Sequence, residues 1–174
     1  MFLHFLLAHC VADFLLQPSA LIALKNRSYV GIVIHAIIHM VTLALVFWPG
    51  LGTFPFWLSA IFIVVFHGLI DNLKIRFQHK RGRYIGPFFI DQILHISILI
   101  FSIMLFKPDP SLLWLSDRIA YGLLLILLLT IMYEIVRYEF SLEKIKQVVF
   151  RPSWFYMVLR GLLGLLIYSC FFII

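Results

Sequence analysis

Six apolar runs, separated by Pro, Gly or basic clusters, constrain this chain more than any other feature: roughly residues 2–17, 29–48, 55–74, 86–106, 117–137 and 154–174. A hydrocarbon core needs about 20 apolar residues in a helix that satisfies its own backbone, and every run but the first approaches that length. Composition agrees, with 63% hydrophobic and 13% charged residues and a mean hydropathy of +1.05. The expected fold is an all-α integral membrane protein, a bundle of six transmembrane helices. The first run is short and ends at Pro18, so local bilayer thinning or interfacial packing must accommodate it. A cleaved signal peptide is the alternative for this run. It has no basic n-region and no small-x-small cleavage site, which favours a retained helix.

Charge orients the bundle. Lys25 and Arg27, then Lys74, Arg76, Lys80, Arg81 and Arg83, then Arg137, Lys144, Lys146 and Arg151 follow the first, third and fifth runs, and Lys107 and Arg118 lie on the other side. By the positive-inside rule the basic side is cytoplasmic and both termini face outward. The net charge of +6 is then mainly a topology signal. It adds an attraction to membrane lipid headgroups of about 1 kcal/mol per surface cation. Nucleic acid is a poor partner, because the basic residues are spread over three short loops rather than one face. Cys10 and Cys170 are distant single residues that imply no disulfide framework. The loop at 138–152 places Phe140, Ile145, Val148 and Val149 among Lys and Glu, a pattern for a short interfacial helix. The organisation expected is a four-helix core, residues 1–106, followed by two further membrane helices in 107–174.

Each of the first four runs carries a polar pair at spacing i, i+4: His9 and Asp13, His35 and His39, His67 and Asp71, Asp91 and His95. In a helix that spacing puts both side chains on one face, a turn apart. Counted from the cytoplasmic ends, the eight residues fall about 6 to 15 Å deep at 1.5 Å per residue, although the helices alternate in direction. They form one layer. HCVADFLLQ and HGLIDNLKI share H-x3-D, so residues 1–48 and 55–106 read as two similar helical hairpins. An Asp near a membrane-helix centre costs about 2.5 to 3.5 kcal/mol, and three of them approach the stability of a typical domain, about 5 to 15 kcal/mol. Something must compensate.

A divalent metal is the favoured compensation, since five imidazoles and three carboxylates make a ligand set for one or two ions, zinc first and iron or manganese next. A proton or ion relay and a purely structural hydrogen-bond network are the alternatives. Gln17, Asn72 and Gln92 adjoin the pairs and are candidates to support the ligands, or equally to bond helices together. Lys25, Arg27 and Lys74 are candidates to hold phosphate. Glu134 and Arg160 are expected to pair structurally, with Arg137 nearby, and anion binding is the second reading. His4 has no partner at i+4 and is expected at the outer interface, His79 in a solvated basic loop, and Cys10 in packing about 100° from His9.

The residues H-x3-D-F-x-L-Q (His9 to Gln17), H-x3-H (His35, His39), H-x3-I-D-x2-K (His67 to Lys74) and D-Q-x2-H (Asp91 to His95) resemble an uncharacterised family of small bacterial inner-membrane proteins, the domain-of-unknown-function family 3307, over about residues 1–105. That resemblance implies a bacterial inner-membrane location and no mechanism. The pattern is more loosely similar in style to membrane-bound metal-dependent hydrolases. The function expected first is therefore a metal-dependent hydrolase of a lipid or phosphate ester at the cytoplasmic interface. Asp13, Asp71 and Asp91 would serve as ligands, one of them instead as general base. An ion or proton-coupled transporter or channel and a non-catalytic scaffold are the other two readings.

Overall fold

The computed structural model describes residues 1–81, 85–144 and 153–172, and its regular structure there is entirely helical. Four stretches are long and apolar enough to cross a membrane. They are α3 (Tyr29–Val46), α4 (Phe54–Arg81), α5 (Ile85–Phe106), and the pair α6 (Asp117–Leu127) and α7 (Tyr133–Lys144), joined by a π-helical turn at Leu128–Met132. The first apolar run does not form one straight helix. α1 (Phe2–Cys10) runs into a π-helical turn, Val11–Leu15, and α2 (Ser19–Arg27) leaves at 88°. Counted as one bent span, this pair makes five; α8 (Trp154–Phe172) contributes a shorter apolar stretch, Trp154–Cys170.

Local chemistry explains the breaks. Pro18 has no N–H to continue α1 and restricts the residue before it, so the chain extends (φ −67°, ψ 158°) and restarts as α2. Ser28 is extended and its Oγ accepts from Val30 N–H at 3.1 Å, capping α3. Ser116 caps α6 in the same way through Ile119 N–H. In the turn before α6, Asp109 accepts from Ser111 N–H at 2.8 Å, which holds its carboxyl below the usual range.

Two expected loops are helical instead. The segment holding Lys25 and Arg27 is α2, because after Pro18 its residues bond back in helical register and Leu21 is buried. Lys74 to Arg81 continue α4, with no Gly or Pro to stop it. Residues 138–144 likewise extend α7, while 145–152, with Ile145, Val148 and Val149 of the expected interfacial stretch, and the side chain of His79 lie outside the described residues.

α3 packs against α4, α4 against α5, and α1 against α3, α5 and α6, with α8 on α6. Phe5, Leu43, Phe56, Ile63 and Leu99 are buried in one apolar cluster, with the Phe47 ring tilted against Phe5 at 4.4 Å. Each of these residues lies on the far side of the polar pair on its own helix, toward the expected outer face. Cys10 packs with Leu7, Ala120 and Leu124 between α1 and α6, as expected. Many large apolar side chains remain exposed, among them Val33, Ile37, Val41, Ile90 and Ile93. Such an apolar exterior is compatible with a lipid surround, in which helices associate through close van der Waals packing rather than burial from water.

At Gly31, α2 lies across the start of α3 in close backbone contact. A Cβ there would stand 2.6 Å from the Leu24 carbonyl carbon and 2.7 Å from Lys25 Cα, both backbone atoms that cannot rotate away. Gly31→Ala is expected to destabilise the protein by about 1–3 kcal/mol, measured as thermal unfolding in detergent. Gly68→Ala, whose new methyl would meet only Ile32 Cγ2 at 3.6 Å, is expected to change little.

Candidate metal centre

The four polar pairs converge. Asp13 sits in the π-helical turn that ends α1, a distortion often found at functional sites. Its Oδ1 accepts from His35 Nε2 at 2.9 Å and from His39 Nε2 at 2.7 Å, both on α3. The same oxygen lies 3.5 Å from His67 Nε2, and Asp13 Oδ2 lies 3.7 Å from His9 Nε2. His67 Nε2 is also 3.5 Å from Asp71 Oδ2, which is 3.8 Å from His35 Nε2. On α5, His95 Nδ1 donates to the Asp91 backbone carbonyl at 2.7 Å, which commits that nitrogen. The His95 ring stacks on His9 at 5.2 Å and lies 4.1 Å from His67. All five imidazoles are buried, as are Asp71 and Asp91.

The spacing suits a cation. Four ligands about 2.0–2.1 Å from a tetrahedral zinc stand about 3.3–3.4 Å from one another. The nitrogen–oxygen separations around Asp13, 2.7 to 3.7 Å, bracket that figure. Three groups bring their ligand atoms within 4.8 Å: His9, Asp13, His39 and His67; His35, His67 and Asp71; and Asp71, Asp91 and His95. Several of these atoms have no hydrogen-bond partner although fully buried, namely His9 Nε2, both nitrogens of His67, His95 Nε2 and Asp91 Oδ1. A buried polar atom without a partner costs about 1–3 kcal/mol, and one nitrogen each of His9 and His67 belongs to a single group of close ligand atoms with Asp13 and His39, which calls for a shared partner.

Around the layer, Lys25 Nζ lies 2.5 Å from Asp71 Oδ2, and Lys74 Nζ donates to Asp91 Oδ2 at 2.7 Å. Gln92 Nε2 donates to the same Asp91 oxygen at 3.2 Å, and Gln17 Nε2 lies 3.1 Å from His35 Nε2. Two of the sequence candidates are not brought in. Arg27 is exposed and does not border the site, because the α2 helix that turns Lys25 inward carries Arg27, two residues on, to another face. Asn72 is half-buried and makes no hydrogen bond to the cluster, lying one residue past Asp71 and so about 100° around α4.

A cavity of about 330 Å³ adjoins the layer on the expected cytoplasmic side. Asp13, Asp71, Asp91, Lys25 and Lys74 reach it from the layer, and Asn26, Gln78 and Glu139 border it. Asn26 and Glu139 escaped sequence reasoning because both lie outside the apolar runs, where a polar side chain is unremarkable. On the opposite side of the layer lies the buried apolar cluster of Phe5, Leu43, Phe56, Ile63 and Leu99.

Elsewhere, Glu134 is buried and pairs with Arg160 of α8, as expected, and with Arg137 at 2.6 Å. The Arg160 guanidinium also lies 4.2 Å over the Tyr133 ring. His4, expected near the outer interface, is buried within the bundle, with its Nδ1 3.4 Å from exposed Asp117 at the start of α6. Its Nε2 lies 2.6 Å from the Leu115 carbonyl oxygen, a backbone partner more than a hundred residues away that no i+4 rule could reveal.

Helix length and composition, with a buried His/Asp layer, define the class: an all-helical protein with the makings of a multi-pass membrane protein and a candidate metal centre. The chain belongs to the family described as protein of unknown function (DUF3307), whose model matches residues 1–121 and so takes in all four polar pairs. No curated protein and no solved structure matches it.

Proposed function

We propose that this is a multi-pass protein of the bacterial inner membrane, with six spans and both termini outside, that binds divalent metal in its His/Asp layer and hydrolyses a lipid or polyprenyl phosphate ester at the cytoplasmic interface. The observation that carries the proposal is the convergence of unpartnered, buried imidazole nitrogens and a carboxylate oxygen from separate helices on one space. Such a space is costly when dry and well suited to a cation. His9, Asp13, His35, His39, His67, Asp71, Asp91 and His95 are the ligand pool, with zinc the first candidate. Metal, when bound, supplies an activated water and a Lewis acid. The chain's own residues orient the ester: Lys25 and Lys74 face the cavity and counter phosphate charge, and Gln92 and Gln17 hold Asp91 and His35 in place. A carboxylate bordering the cavity, Asp71 or Asp91, serves as the base.

The cavity's position on one side of the layer, with an apolar plug on the other, supports chemistry served from one face. A transporter reading draws on a different observation, the 88° break between α1 and α2, since broken helices flank many transport sites. It predicts ion flux in proteoliposomes, whereas the hydrolase reading predicts none.

The metal reading is checked by elemental analysis of protein purified without chelator. Wild type is expected to carry zinc or another divalent metal, and His67→Ala to lose most of it. A metal-free wild type that is folded and of normal stability would exclude the reading, and with it the hydrolase.

A further inference from the structure

We infer that the centre holds one divalent ion rather than two, and that Lys25 and Lys74 are the built-in counter-cations that close the second position; this rests on the metal reading above. The layer has three carboxylates and two ammonium groups. Lys25 Nζ is 2.5 Å from Asp71 and Lys74 Nζ is 2.7 Å from Asp91, so each lysine neutralises a different carboxylate. Asp13 is the carboxylate of the layer without a lysine. It is surrounded instead by the Nε2 atoms of His9, His35, His39 and His67 at 2.7 to 3.7 Å.

The two poles therefore differ in kind. At Asp13, one uncompensated negative charge faces imidazoles, and His9 and His67 are buried and present unpartnered nitrogens. At the other pole Asp71, Asp91 and His95 also stand within 4.8 Å of one another, a spacing that would admit a metal. A divalent ion there would meet two ammonium groups already in contact with its would-be ligands, in surroundings that screen like charges poorly. The lysines are not incidental to this arrangement. Lys25 reaches the layer only because the chain turns by 88° after α1 and α2 docks on Gly31. Lys74 stands three residues beyond Asp71 on α4, yet it reaches across to Asp91 on α5.

One ion at Asp13 turns that pole from a net charge of −1 to +1 while both lysine pairs stay neutral. The cavity then faces one net positive centre with the Lys25 and Lys74 ammonium groups beside it, which suits one anionic group, such as a phosphate ester.

The experiment is zinc titration of the full-length protein in detergent, with bound metal counted per chain and the zinc-loaded sample studied by X-ray absorption. One zinc per wild-type chain is expected, with no zinc–zinc scattering at the roughly 3.5–4 Å typical of two-metal sites. The double variant Lys25→Met, Lys74→Met, which keeps side-chain length and removes both charges, is expected to bind two. Two zinc ions in wild type, or a zinc–zinc vector, would overturn the inference while leaving the metal reading standing. A folded double variant that still binds one would overturn the role given to the lysines. Should that variant fail to fold, Lys74→Met alone and the wild-type absorption spectrum decide the question. No zinc in wild type would instead remove the metal reading itself.

Discussion

Asp13→Asn is expected to strip the purified protein of its metal. Asp13 is the residue on which the layer turns: Oδ1 lies 2.9, 2.7 and 3.5 Å from His35, His39 and His67, and Oδ2 lies 3.7 Å from His9. The amide is nearly isosteric but neutral, and its NH₂ group presents hydrogens rather than a lone pair to whichever ligand it faces. Affinity for zinc should fall by more than the roughly 10- to 100-fold typical of losing a residue that only supports a ligand. Competition with a chromophoric chelator measures it. Asn72→Ala is the control, since Asn72 lies off the cluster and its loss should leave metal content unchanged. Full retention of metal by Asp13→Asn would remove Asp13 from the ligand set.

Glu134→Gln is expected to produce the largest loss of stability outside the layer. Glu134 is buried between Arg137 and Arg160, and the second of these belongs to α8. Removing its charge leaves Arg160, one-fifth exposed and already with an unpartnered Nε, facing a neutral amide in place of a carboxylate, at a cost of about 1–3 kcal/mol. The expected readout is earlier unfolding in detergent with metal content intact, because no ligand lies on α7 or α8. The double change Glu134→Leu, Arg160→Met should recover most of the loss, since an apolar pair has no charge to desolvate. A single variant as stable as wild type would show that the pair does not hold α8 to the bundle.

The site was unusually legible for a protein without a diagnostic motif. In an apolar run, each Asp or His is conspicuous because lipid offers it no partner, and i, i+4 spacing commits two such groups to one helix face. That reasoning extends along a single helix. It therefore foresaw the four pairs and the pairing of Glu134 with Arg160, but not the bond of His4 to the Leu115 carbonyl, 111 residues along the chain. It grouped Lys25 and Arg27 as neighbours in a loop, whereas α2 is helical and separates them by about 200°. Boundaries were the weakest part. Pro18 was read correctly as a stop, but hydropathy carries no direction, so the 88° turn into α2 was invisible.

The sequence by itself determined the apolar character of this protein, its helical class and the identity of the eight polar residues that gather in one layer. These depend on hydrophobicity and on the helical repeat, which act over a few residues. Only the tertiary structure decided which of those residues meet: that Asp13 stands among imidazoles while Asp71 and Asp91 each take a lysine, and that the cavity lies on one side with an apolar plug on the other. The reason is that contacts between helices depend on crossing angles and close approaches, such as α2 on Gly31, and these arise from packing distant parts of the chain together.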